Sequence, residues 1–135
     1  EFLFELFYNL KALYQKNLKF SNISFQQILA ILLIENSGVE MSHLSKKLGV
    51  DNSTLTRLID GLEKKKLVIR ERYASDNRVI KVFLTKRGEK VNNSIEIQLE
   101  KIGDAIERQL NDDLKGEIIE AGVNLNWAII KHLNR

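Results

Sequence analysis

Apolar positions recur at helical spacing from the start of the chain. Leu3, Leu6, Phe7, Leu10, Leu13, Tyr14 and Leu18 fall mostly three and four apart, which predicts a helix from Phe2 to about Leu18. Phe4 and Tyr8 widen this stripe beyond what a surface helix needs, so the helix expects cover from outside its own lobe. Ser24-Phe-Gln-Gln27 reads as a capping box, in which the Ser24 hydroxyl and the Gln27 side chain satisfy each other's free backbone donors. The helix it opens is expected to run through Ile28, Ile31 and Leu32 and to stop near Asn36-Ser-Gly38. Ser42 to Leu48 forms a short helix with Leu44 and Leu48 one turn apart, and Gly49 supplies a turn. Asp51 or Asn52 caps the next helix, whose inner side carries Leu55, Leu58, Ile59 and Leu62.

The period then changes. Leu67 to Tyr73 and Val79 to Leu84 are rich in β-branched and aromatic residues and read as two strands. The polar run Ala74-Ser-Asp-Asn-Arg78 connects them into an antiparallel hairpin. Thr85 caps a long helix striped by Val91, Ile95, Leu99, Ile102, Ile106 and Leu110. Asn111 is expected to break that helix and cap a last one through Leu114, Ile118, Ala121, Leu125, Ile129 and Leu133. The expected fold is mainly α with a small antiparallel β-hairpin, a single domain over residues 1–135. A winged helix-turn-helix lobe occupies about 24–88, and helices at about 1–20 and 89–135 form a dimerisation region. The terminal helices carry more apolar surface than one small lobe covers, which points to a homodimer.

Composition narrows the chemistry. The 135 residues suit one core. With no Cys, disulfides, thiolate metal sites and cysteine redox switching are excluded. The longest apolar run, Ile28 to Ile34, is too short to span a bilayer, so no membrane partner is expected. Phe2 to Tyr8 lacks the basic flank and cleavage site of a signal peptide, and a cytoplasmic location is expected. Apolar periodicity begins at once after Glu1, so the native N-terminus is expected upstream. Charge is uneven: residues 40–90 hold 13 Lys/Arg against 7 Asp/Glu, and the rest of the chain 8 against 11. A basic middle between acidic flanks points to a polyanionic partner, although a solvated charged surface would show the same excess.

Two short helices joined by a glycine turn and followed by a hairpin form a winged helix-turn-helix. The second helix must be compact and polar outside to enter a major groove about 12 Å wide. Asn52, Ser53, Thr54 and Thr56 offer short donors and acceptors there, and Arg57 offers a planar fork for guanine or phosphate. Ser42, at the start of the first helix, is placed to meet a phosphate. Arg70, Arg72, Arg78 and Lys81 flank or sit on the hairpin and extend its reach toward a minor groove. Asp76 belongs to this set as the group that fixes the loop or orients an arginine.

The run Asp51-Asn-Ser-Thr-Leu-Thr-Arg-Leu-Ile-Asp-Gly-Leu-Glu-Lys-Lys-Lys-Leu-Val68 resembles the recognition helix of MarR-family regulators. The run Asp76-Asn-Arg-Val-Ile-Lys-Val-Phe-Leu-Thr-Lys-Arg-Gly88 resembles that family's wing, an Asp-x-Arg followed by Val, Leu-Thr and Gly. With one helix before the lobe and two after it, the likeness covers nearly the whole chain. It implies a homodimer with interlocked terminal helices that binds a pseudo-palindromic operator in double-stranded DNA. Repression is commoner than activation, and a small aromatic or anionic effector often releases the DNA. It implies that Ser53, Thr54, Thr56 and Arg57 face the major groove and that Arg78 belongs to the wing. Lys66 stands where the family commonly has glycine, and a lysine there costs about 1 kcal/mol or takes another geometry. Asn77 replaces a frequent second wing arginine, which implies a weaker minor-groove contact. The cysteine of peroxide-sensing relatives is absent.

Several of these residues have plainer readings. Arg57 and the run Lys64-Lys-Lys66 also suit a solvated helix surface, and Arg78 suits a structural pairing with Asp76. Tyr8, Tyr14 and Phe25, with Phe20, are candidates to line an effector pocket, and core packing accounts for them equally. Trp127 suits dimer or core packing. His43 and His132 lie far apart in sequence and no ligand spacing stands out, so neither a metal nor another cofactor is expected. Two other function classes remain: a winged helix that binds protein rather than DNA, and an enzyme. The enzyme lacks a Cys nucleophile, a Gly-rich phosphate loop, an HExxH motif and a plausible His-based triad.

Overall fold

In the computed structural model, which describes every residue except Ala74 and, for Asn77, the backbone alone, the described residues form six helices and one small sheet. They are α1 (Phe2–Asn17), α2 (Phe25–Leu32), α3 (Met41–Leu48), α4 (Asn52–Lys64), α5 (Lys86–Glu107) and α6 (Lys115–Leu133). The strands are β1 (Val39–Glu40), β2 (Val68–Tyr73) and β3 (Asp76–Leu84), in antiparallel order β1-β3-β2. Backbone contacts divide the chain into two compact units, Glu1–Leu99 and Glu100–Arg135.

The first unit holds the winged lobe. The Ser24 capping box forms as expected: Gln27 N–H donates to Ser24 Oγ and Ser24 N–H to Gln27 Oε1, each at 3.2 Å. α2 stops at Leu32, short of the expected Asn36, and the chain passes through a turn into β1. Two residues gave no periodicity from which to read β1, which exists because Val39 and Glu40 pair with Val82 and Lys81 of β3. Helix α4 is capped by Asp51, not by Asn52. Ile28, Ile31, Leu44, Leu55, Ile59, Leu62, Val68, Val82 and Ile95 are fully buried and form the core that all these elements share. Each such side chain contributes about 1.5–3 kcal/mol relative to exposure.

The end of α4 settles the Lys66 question. Lys66 adopts the left-handed conformation at φ 60°, with its N–H bonded to Glu63 O and the Leu67 N–H reaching back to Leu62 O. That is the double closure a glycine ordinarily makes, held here by a residue that loses about 1–2 kcal/mol in it. Gly49 makes the same closure after α3 at φ 68° without that loss. Thr85 then ties three elements together. Its hydroxyl donates to Lys66 O, its backbone N–H donates to Leu67 O, and its Oγ1 accepts from Gly88 N–H at the start of α5. Gly88 is packed so tightly there that a Cβ would lie 2.0 Å from the Leu67 carbonyl oxygen.

Helix α1 buries none of its residues, and Phe2, Leu3, Phe4, Phe7 and Tyr8 are at least half exposed. The second unit holds the end of α5 and α6. Asn111 does not cap α6: its side chain accepts from Asp113 N–H in a local turn, and α6 starts after Leu114 with no side-chain cap. The ion pair Lys115–Glu107 at 3.0 Å spans that turn. α6 likewise buries nothing and exposes Ile118, Val123, Trp127, Ile129 and Leu133. No described helix is long and apolar enough to cross a membrane.

Candidate nucleic-acid interface

The outer face of α4 is built by its cap. Asp51 Oδ1 accepts from Thr54 N–H at 2.7 Å and from the Ser53 hydroxyl at 2.9 Å. These hydrogen bonds hold the Asp51 carboxyl below the usual aspartate range, with a smaller contribution from the charge of Arg57. Thr56 donates its hydroxyl proton back to Asn52 O at 2.8 Å. With their protons engaged, Ser53 Oγ and Thr56 Oγ1 present lone pairs outward, suited to an amino donor on adenine or cytosine. Ser53, Thr56 and Arg57 lie three and four residues apart and so share one exposed face. Thr54 is half-buried, the least available of the expected set.

An open groove of about 370 Å³ runs beside this face. Ser42 from α3, Asn52 and Thr56 from α4, and Arg78 and Ile80 from β3 line it together. Residues 36 apart in sequence thus meet in one depression, as the winged arrangement requires. The hairpin differs from its expected form near the tip. Residues 76–78, expected in the connection, belong to β3, and the register slips: Arg72 pairs with Ile80, whereas Tyr73 pairs with Asp76. Such a slip re-aims a side chain. Here it leaves the Arg78 guanidinium 92% exposed, with Asp76 Oδ1 accepting from both its backbone N–H (3.0 Å) and its Nε (3.3 Å). Asp76 thus bonds both the backbone and the side chain of Arg78. Arg72 is exposed on β2. The Asn77 side chain lies outside the described residues.

Lys81 and Arg70 of the hairpin are engaged elsewhere. Lys81 points to the reverse face, where Nζ lies 2.9 Å from Tyr73 Oη and 4.6 Å from the centre of that ring. Arg70 turns to α4, with Nη2 at 2.6 Å from Asp60 Oδ1 and 2.7 Å from Glu63 Oε2. These bonds hold the Glu63 carboxyl below its ordinary value and raise the Arg70 guanidinium above its own. The clasp fixes the wing strand against the recognition helix. Sequence reasoning counted Arg70 among the hairpin cations that extend toward the minor groove and missed this clasp. A carboxylate at each of two positions three apart on α4 was the available signal.

Tyr8 is half exposed and packs against Phe4 (4.7 Å between rings) and Phe7 (5.2 Å), while Tyr14 and Phe25 are partly buried. Among the described residues no cluster of three or more His, Asp or Glu is arranged to hold a metal.

The MarR family model matches residues 23–80, which spans β1, both helices of the motif and the hairpin tip. The regulator SarZ of Staphylococcus epidermidis is 32% identical over 81 residues, covering 59% of this chain and 55% of that protein. The chain thus spans about half the length of the curated relatives it matches. Among solved structures, a MarR transcriptional regulator from Methanosarcina mazei superposes with a TM-score of 0.79 at 25% identity, over 96% of this chain and 97% of that one. Streptococcus pneumoniae FabT, solved in complex with DNA, superposes at 0.77 and 24% identity over 98% and 94%.

Proposed function

We propose, from the match of residues 23–80 to the MarR family model, that the chain is a MarR-family, sequence-specific, DNA-binding transcription regulator acting as a homodimer. The observation that carries this reading is the shared groove of Ser42, Asn52, Thr56 and Arg78 beside the exposed face of α4. Ser53, Thr56 and Arg57 meet base edges in the major groove, with Asn52 and Thr54 at its margin. Ser42 meets phosphate, and Arg72 and Arg78 reach along the wing with Asp76 positioning Arg78. A DNA partner also accounts for the basic excess in residues 40–90. The unburied apolar faces of α1 and α6 support the dimer. Twofold symmetry then sets the recognition helices about 10 base pairs apart on a pseudo-palindrome. A repressor released by a small aromatic or anionic effector, working in the cytoplasm, completes the proposal.

Selection from a random duplex pool tests it, with the affinity of the selected site measured against salt. The expected result is a twofold-symmetric consensus and a steep fall in affinity as salt rises, because phosphate contacts release counterions. No enriched sequence and a flat salt dependence would favour a winged helix that binds protein instead.

A further inference from the structure

Lys81 has a carboxylate opposite it on each neighbouring strand, Glu40 on β1 and Glu71 on β2. Among the described residues it forms an ion pair with neither. Its ammonium instead donates to Tyr73 Oη at 2.9 Å and lies 4.6 Å from the centre of that ring. Tyr73 stands two residues beyond Glu71 on β2, so this contact carries the charge about 7 Å along the hairpin toward its tip. The pair borders an open depression of about 390 Å³ on the reverse face of the wing, lined also by Glu71, Arg72, Ser75 and Phe83. The Phe83 ring packs against Gly38 so closely that a Cβ there would lie 2.5 Å from it.

Among the described residues, this depression shares no lining residue with the groove beside α4 that holds Arg78. The hairpin thus carries cationic donors at two separate places near its tip. The chemistry on the reverse face is specific. A lysine N–H donated to Oη leaves the phenol's own proton to be donated outward, and the adjacent positive charge strengthens that donor. Tyr73 is 45% exposed, so its hydroxyl is within reach of a partner. Two donors 2.9 Å apart suit the two unesterified oxygens of a phosphodiester. A minor groove is about 6 Å wide and has a phosphate backbone along each side. A hairpin tip that enters it meets both.

We propose that Tyr73 and Lys81 together hold a phosphate of the DNA strand that lies across the minor groove from the strand Arg78 meets. The wing then grips both backbones. This inference rests on the reading of the chain as a DNA-binding regulator. Glu40 and Glu71 offset part of the Lys81 charge, and Tyr73 limits that loss by drawing the ammonium away from them toward the tip. The sequence counted Lys81 only as a hairpin cation and Tyr73 only as a strand residue; their contact gives the two a joint role.

The test uses the full chain and the duplex selected from the random pool, with affinity measured against salt for wild type, Tyr73→Phe and Lys81→Met. Both substitutions keep the apolar part of the side chain, and melting temperatures close to wild type show that neither acts by unfolding. Lys81→Met is expected to lower the slope of log affinity against log salt by about 1, on operator and unrelated duplex alike, as loss of one phosphate contact does. Tyr73→Phe is expected to weaken binding about fivefold with little change of slope, because it removes a hydrogen bond and no charge. Duplexes in which single phosphates beside the wing are replaced by uncharged methylphosphonates assign the strands. Neutralising one strand should erase the effect of Arg78→Ala alone, and neutralising the other the effects of Lys81→Met and Tyr73→Phe. Loss of all three effects on the same strand overturns the proposal. Wild-type affinity and slope in both reverse-face variants also overturn it and leave that face to a protein partner. Wild type that binds no duplex overturns the DNA-binding reading itself, so the two failures are told apart.

Discussion

Arg70 on β2 and Glu63 on α4 meet through two parallel contacts, Nη2 to Oε2 at 2.7 Å and Nε to Oε1 at 3.2 Å. Asp60 completes the clasp at 2.6 Å. The wing is thereby held to the recognition helix by three charges whose side chains are only partly exposed. Removing Arg70 leaves two carboxylates facing each other. Arg70→Met is expected to cost about 1 kcal/mol, the upper end for a partly exposed pair, and urea unfolding measures it.

The same clasp gives a pH dependence of known sign. Hydrogen bonds from Arg70 hold Glu63 below its ordinary value of 4.5, against opposing burial and the charge of Asp60. A depressed folded pKa means that the stabilisation is fully present above that ordinary value and is lost as pH falls through the lower folded one. Stability should therefore decline in the acid range below about 4.5, and Glu63→Gln should lose part of that decline. Parallel stability–pH curves for the two proteins below that value would show that the clasp contributes nothing to it.

Arg57→Ala is expected to weaken specific duplex binding by about 1–3 kcal/mol while leaving the melting temperature nearly unchanged, since Arg57 is exposed. A mobility-shift titration on the selected operator reads this directly. Wild-type affinity in the variant would remove Arg57 from the interface.

On the wing, Arg78→Ala should lower the slope of log affinity against log salt by about 1, as expected when one phosphate contact is lost. Asp76→Asn should weaken binding less, because it frees Arg78 without removing it. Both should change stability by no more than about 1 kcal/mol, as for other exposed pairs.

Gly88→Ala tests the junction of wing and α5. Its Cβ would sit 2.0 Å from Leu67 O, so the backbone must move. A loss of about 1–3 kcal/mol is expected from such overpacking, measured by thermal unfolding.

Phe4→Ser combined with Trp127→Ser removes large apolar groups from α1 and α6 that a single chain leaves uncovered. If these faces pair two copies, sedimentation should show wild type at twice the chain mass and the variant shifted toward 15.6 kDa.

Much of this molecule was legible in its residues. Periodicity located every helix, because each carries its apolar stripe at local spacing. The Ser24 capping box and the Thr85 cap were legible for the same reason: donor and acceptor lie three residues apart. The composition of α4 pointed to its outward face, and Asp76 beside Arg78 suggested an orienting pair two residues long. What stayed hidden depends on partners distant in sequence. β1 is two residues that become a strand only against β3. Arg70 read as one more wing cation until Asp60 and Glu63, ten and seven residues away, turned toward it. Lys66 marked a departure from a family pattern, but whether the backbone would take the left-handed turn was decided by its closure onto Leu62 and Glu63. Local spacing settles elements and caps; side-chain partnership across elements is settled by packing, and only the tertiary structure supplies it.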